Sequence, residues 1–315
     1  MRRSAPLAAA ATAAVLLLGL DLLAGGGGFS AAGGALLWKL RLPRAATAAL
    51  AGIALSLSGA QMQALFRNPL ADPHIMGISG GAGLGAALAT LGLGGAVSWI
   101  GGSALALCAF LGAGAASAII MAIARRRPSA GTLLLGGVML GFIFNAVTAL
   151  LQYSLNEESL KLFYSWAAGS FSGSGTGALA VMGACTLIGA VAAFRSSGEL
   201  DLLLFGEEYA SLCGVDTLRT RRRILLGYSL MTGAVTAFCG PVGFVGIVAP
   251  HISRFIIRTS AHRRVLPAAV FTGASMTLAA DIISQVLPFP VPVGSALALI
   301  GIPLIFVILM KRQLP

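Results

Sequence analysis

The chain has 315 residues, 57% of them hydrophobic and only 10% charged, with 42 glycines and a net charge of +11. A soluble domain carries about 25% charged residues, and a soluble alanine-rich bundle would show polar faces that these apolar runs lack. The basic excess does not describe a nucleic-acid partner either, because the arginines stand at the ends of apolar runs instead of on one continuous face with aromatics.

A helix crosses a bilayer with roughly 20 apolar residues. Marking the apolar runs against flanking charge predicts ten spans, near 5–24, 45–66, 75–96, 98–123, 132–152, 174–194, 224–240, 243–258, 266–287 and 294–310. The expected fold class is an all-α membrane protein forming a single transmembrane domain over 1–315. Its glycine and alanine content suits membrane helices whose backbones approach closely. Arg2 and Arg3 before an apolar stretch resemble a secretory leader, but the many later spans favour an uncleaved first helix. Cys108, Cys185, Cys213 and Cys239 are scattered without a CxxC pair, so no disulfide or metal framework is expected.

Charge also predicts orientation. With Arg2 and Arg3 inside, alternation places five further basic groups on the cytoplasmic side: Arg67, Arg125–Arg127, the loop 195–223, Arg258–Arg264 and Lys311–Arg312. That obeys the positive-inside rule and leaves both termini inside. Lys39, Arg41 and Arg44, in WKLRLPR, break the rule on the outer side. They are either a tolerated exception or a basic docking point for an acidic external partner.

Three polar interruptions follow. RNPLADPHIMG (67–77) is a stiff elbow, where Pro69 and Pro73 stop helices and Asn68 and Asp72 are capping residues. The stretch 195–223 is too long for a simple helix connection. It predicts two short helices, near 207–213 and 216–222, hinged at Gly214, with Glu207, Glu208 and Asp216 at their dipole-positive starts. A second break comes at CGPVGFVGIVAPHISR (239–254). Broken helices in both halves of a chain point to transporters built from inverted repeats.

Asp281 lies inside the ninth span, where a charge faces a bundle interior or water; a structural partner on a neighbouring helix is the favoured reading. Asp21 is placed near the outer end of the first span. Gln61, Gln63 and Asn145 either bridge helices or line a path. His74 is read as a capping or interfacial residue. Gly77-Ile78-Ser79-Gly80 matches a serine-nucleophile pattern with His251 as a distant base, the remote alternative of an intramembrane protease. There is no phosphate-binding loop, since Lys39, Lys161 and Lys311 do not follow glycines.

Five blocks, 40–83, 206–216, 240–254, 262–281 and 292–306, resemble in order the FecCD-type permeases of bacterial ABC importers for iron–siderophores, haem and cobalamin. The resemblance implies a non-catalytic inner-membrane permease, paired with a second copy as a homodimer and alternating access. It implies two cytoplasmic ATP-binding subunits that hold ATP and Mg, and an external substrate-binding protein, with no cofactor in this chain. Residue by residue, Asn68, Pro69 and Leu70 resemble a cytoplasmic gate, with Ser129, Ala130, Gly131 and Thr132 at a second constriction. Glu207, Glu208, Tyr209, Ala210, Leu212, Gly214 and Val215 look like the coupling block that grips the ATPase. Arg41 and Arg44 match outer arginines offered to glutamates of the binding protein. Gln285 and Pro290 depart from the family pattern near that outer contact. An iron chelate, siderophore or haem, is the favoured cargo, and cobalamin or a related corrinoid the alternative.

Overall fold

The computed structural model describes residues 5–25, 28–29, 34–93, 102–126, 129–172, 175–287, 289 and 291–311. Arg2, Arg3, Arg127, Pro290 and Arg312 lie outside the described residues. The first span, α1 (Ala5–Leu23), is followed by a two-residue antiparallel ladder in which Ala24–Gly25 pairs with Gly28–Phe29. A π-helical turn over Leu37–Arg41 then runs straight into α2 (Leu42–Leu65), so the second span begins earlier than its apolar run. The elbow leads through a 3-10 turn, Pro73–Met76, into α3 (Ile78–Leu93).

Next come α4 (Gly102–Arg125), α5 (Ala130–Gln152), the short amphipathic α6 (Glu157–Ala167) and α7 (Thr176–Arg195). The polar segment forms α8 (Ser197–Leu203) and α9 (Glu207–Leu212). The remaining spans are α10 (Thr217–Cys239), α11 (Val245–Ile257), α12 (His262–Val286) and α13 (Val293–Lys311).

Six helices are long and apolar enough to cross a membrane, and three shorter apolar helices, α3, α11 and α13, join them. With α10, whose first two turns carry four arginines, the described residues reproduce the ten expected spans. One expectation is corrected: 216–222 is not a separate helix. Nothing between Thr217 and Cys239 breaks the helix, and Asp216 caps it by accepting from the Arg219 N–H at 3.0 Å. The seventh span therefore starts in the polar segment itself, while α6 and α8 were not anticipated.

The bundle is built around α2, which packs against α7, α10, α11 and α12. Glycine makes this possible. A Cβ on Gly52 would meet the Gly273 carbonyl of α12 at 2.2 Å, and one on Gly59 would meet the Gly246 carbonyl of α11 at 1.9 Å. Backbones pack that closely in membranes only through small residues. Hydroxyls tie the same seam: Thr277 donates to the Ala48 carbonyl at 2.7 Å, and Ser56 to the Ala269 carbonyl at 2.7 Å.

Candidate functional site

Three assemblies on this frame hold the residues singled out in the sequence. At the elbow, Asn68 folds back to accept the Leu70 N–H at 2.9 Å, and Asp72 caps the 3-10 turn by accepting the His74 N–H at 2.7 Å. Arg67 precedes the turn at φ +49°, and Gly77 closes it at φ +78°. Pro69 and Leu70 are exposed. The elbow meets α5 through Gly77, whose missing side chain leaves room for Gly137 and Gly141. Ala130 and Gly131 open α5, capped by Ser129, which accepts the Thr132 N–H at 3.1 Å.

His74 links the two breaks in the chain. Its Nε2 lies 2.6 Å from the Val242 carbonyl, in the turn after α10, and its Nδ1 faces the Ser79 hydroxyl. A carbonyl only accepts, so in the neutral ring Nε2–H donates and Nδ1 accepts from Ser79. Both ring nitrogens are committed. His251, the base proposed for a serine nucleophile, instead turns Nδ1 to the Ile247 carbonyl of its own helix at 2.7 Å. Beside His74 and Ser79 opens a cavity of about 550 Å³, which Asn145, Gln152, Phe163 and Trp166 also line.

The polar block over 197–223 is held by ion pairs. Glu207 pairs with the buried Arg221, and Glu199 accepts from Arg223 at 3.0 Å and from Thr220 at 2.8 Å. These tie α9 and α8 to the start of α10. Ala210 is buried beneath α9, and the Val215 N–H returns to its carbonyl at 3.0 Å. Gly206 and Gly214, at φ +112° and +85°, flank the helix with backbone that glycine adopts without strain. The outer face carries Tyr209 and Leu212, the latter 87% exposed, and Phe205, whose ring packs on Tyr209 at 5.4 Å. Phe205 was missed in the sequence, although its position directly before the Gly-Glu-Glu start was a usable signal.

Asp201 of α8 caps α12 from outside it, accepting the His262 N–H at 2.8 Å and contacting the His262 ring at 2.6 Å. Burial opposes ionisation of Asp201. The hydrogen bonds from the His262 ring and backbone, with the ring's charge, prevail and hold the carboxyl below its ordinary value.

The third assembly lies at the opposite end. Arg44 of α2 grips Asp281 of α12 with Nε and Nη2, at 2.9 and 2.8 Å, and Nη2 also donates to Ser284 at 3.0 Å. Gln285 donates to Asp281 at 2.9 Å and to Asp21 of α1 at 3.0 Å. Arg41 reaches the Leu22 carbonyl at 3.0 Å. Asp281 thus has the structural partner expected of it, and Arg41 and Arg44 both bind inside the chain. Gln285 is the joint between α1 and α12.

The FecCD transport family profile matches residues 5–311. The chain is 38% identical over 283 residues to the vitamin B12 import system permease protein BtuC of Klebsiella pneumoniae, covering 89% of this chain and 84% of that protein. It is 37% identical to the cobalamin import system permease protein BtuC of Halobacterium salinarum, covering 87% and 73%. A solved structure described as an inward-facing conformation of a metal-chelate type ABC transporter superposes with a TM-score of 0.87, at 28% identity over 97% of this chain and 98% of that one.

The family match, the relatives and the superposing structure therefore define an ABC importer permease, a multi-pass membrane protein that is itself non-catalytic. The chain belongs to the FecCD transport family, whose permeases are dimeric and are driven by separate ATP-binding subunits.

Proposed function

We propose that two copies of this chain form the translocation unit of an importer for a bulky metal chelate, with a corrinoid of the cobalamin class as the first candidate cargo. The observation that carries this reading is the pair of cobalamin permeases, 37–38% identical to the chain along at least 87% of its length. An iron chelate, favoured on sequence grounds, is the second reading, and the metal-chelate type description of the superposing structure speaks for it.

In this mechanism an external binding protein delivers the cargo, and two partner subunits bind ATP with Mg at the cytoplasmic face, where both termini also lie. Phe205, Tyr209 and Leu212 form the ridge that seats in the ATPase, since an exposed apolar patch of this kind marks a protein contact. ATP-driven closure moves α9, the Glu207–Arg221 pair passes that motion to α10, and the His74–Val242 link carries it to the elbow. Asn68–Leu70 with Ala130 and Gly131 open or shut the inner end of the path. Each state needs its own contacts for the cycle to shift between them.

The test is uptake by the reconstituted complex, with binding proteins loaded with cyanocobalamin or with a ferric chelate. Uptake of the corrinoid alone is expected. Uptake of the ferric chelate alone would move the cargo to the second reading, and uptake of neither would reject both.

A further inference from the structure

A groove of about 440 Å³ runs between α4 and α10, on surface that neither the elbow nor the cytoplasmic ridge uses. Phe110, Gly114 and Met121 form one wall, and Leu226, Leu230 and Gly233 the other. Its volume falls in the range that encloses an apolar ligand, about 300–1,000 Å³. Gly114 leaves its wall low: a Cβ there would meet nothing within 4 Å.

One end of the groove is cationic. Arg125 closes it on α4 and Arg126 follows at once. Arg222 lies one helical turn before Leu226, on the same face of α10, because residues four apart stack along a helix. The neighbouring arginines are neutralised, Arg219 by Asp216, Arg221 by Glu207 and Arg223 by Glu199. Among the described residues no ion pair takes Arg125 or Arg222, and the Arg222 Nε is buried without a hydrogen-bond partner. Arg222 as a whole is only partly buried, so the rest of its guanidinium is open to a phosphodiester, which accepts in the forked geometry that arginine prefers.

We infer that this groove is a binding site for one anionic phospholipid of the cytoplasmic leaflet, its acyl chain lying between α4 and α10 and its phosphate held by Arg125 and Arg222. The leaflet rests on the orientation proposed above. The lipid would brace α10, the helix that leaves the coupling block, against α4.

Native mass spectrometry of the detergent-purified complex with its ATPase, titrated with phosphatidylglycerol or phosphatidylcholine, tests the site. One phosphatidylglycerol retained per permease is expected, with phosphatidylcholine retained far less. Arg125→Gln and Arg222→Gln should each weaken retention about fivefold, the value of one basic contact at an anionic surface. Gly114→Leu should weaken it with both arginines in place, by filling the groove at a position with space for the side chain. Equal retention of the two lipids, or variants that change nothing, would reduce the groove to ordinary lipid contact and overturn the site. Release of the ATPase by either arginine variant would reassign those residues to that interface and also overturn it. Efficient cross-linking of two Gly114→Cys copies would make the groove a contact between permeases, again overturning it. Co-purification of the wild-type chain with its ATPase, scored in the same preparation, tests the coupling reading separately.

Discussion

Arg44 and Asp281 are 237 residues apart in sequence, yet their side chains meet in a forked ion pair at 2.8–2.9 Å, with the carboxylate fully buried. Removing one partner of a buried pair leaves the other uncompensated, at a cost of about 3 kcal/mol. Arg44→Ala and Asp281→Ala should each lower the thermal unfolding midpoint of the purified permease clearly, whereas Arg44→Met with Asp281→Leu should recover most of it. A loss in the double variant equal to the sum of the two single losses would show that the pair contributes no coupling. Both arginines bind inside the chain, but Arg44 is tied to a carboxylate and Arg41 to the Leu22 carbonyl, so docking of a binding protein is better tested at Arg41. Arg41→Glu should reduce the ratio of stimulated to basal ATPase activity.

The Glu207–Arg221 pair fixes α9, the proposed coupling helix, to α10. Glu207→Gln keeps the shape of the side chain and removes its charge. It should weaken co-purification of the ATPase severalfold, and a deletion spanning Tyr209–Leu212 should abolish it. A complex that survives both changes undiminished would place the ATPase contact elsewhere.

His74 spans the two helix breaks, so its loss should separate energy use from transport. His74→Ala should lower cargo taken up per ATP hydrolysed, with assembly intact, and His74→Gln should restore part of it because an amide also donates to the Val242 carbonyl. Ser79→Ala removes only the Nδ1 partner and should keep most uptake. Complete loss of function in Ser79→Ala alone would revive a nucleophilic role for that hydroxyl.

Asp201 gives a pH dependence with a defined sign. A carboxyl whose folded pKa is depressed contributes stability above its unfolded value, and that contribution fades as pH falls through the folded one. Wild-type protein should therefore lose this contribution below about pH 3.8, the ordinary aspartate value. Asp201→Asn should lack it already at pH 7 and show a shallower decline in acid. Parallel acid profiles for the two proteins would rule out the His262 contact as the cause.

The spans were legible because a lipid-facing helix must be apolar along its length, and the basic clusters marked their ends. Asp72 was legible as a cap and Asp216 as a helix start, since each sits directly before a helix and its side chain can reach the free N–H groups; Ser129, read only as part of a constriction, caps α5 in the same way. The start of α10 was not: arginines hide a span from any reading that tracks hydrophobicity, while the backbone continues as long as no breaker intervenes. His74 escaped because its partner, Val242, is a backbone carbonyl 168 residues away, and a carbonyl leaves no trace in residue identity. The inward turn of Arg44 escaped for a related reason. Its sequence position fits an external docking residue and an internal anchor equally well, and only the approach of α12 decides between them.

The glycine contacts Gly52–Gly273 and Gly59–Gly246 leave no clearance for α2 to slide past α11 or α12. Interlocked backbones of this kind resist gradual deformation and shift as one piece. In a transport cycle those three helices should act as a keel, with the yielding parts the turns around it: Asn68–Gly77, Gly240–Phe244 and the glycines at the two ends of α9, Gly206 and Gly214. A crosslink between α2 and α12 would leave such a machine running, and one across any of those turns would stall it.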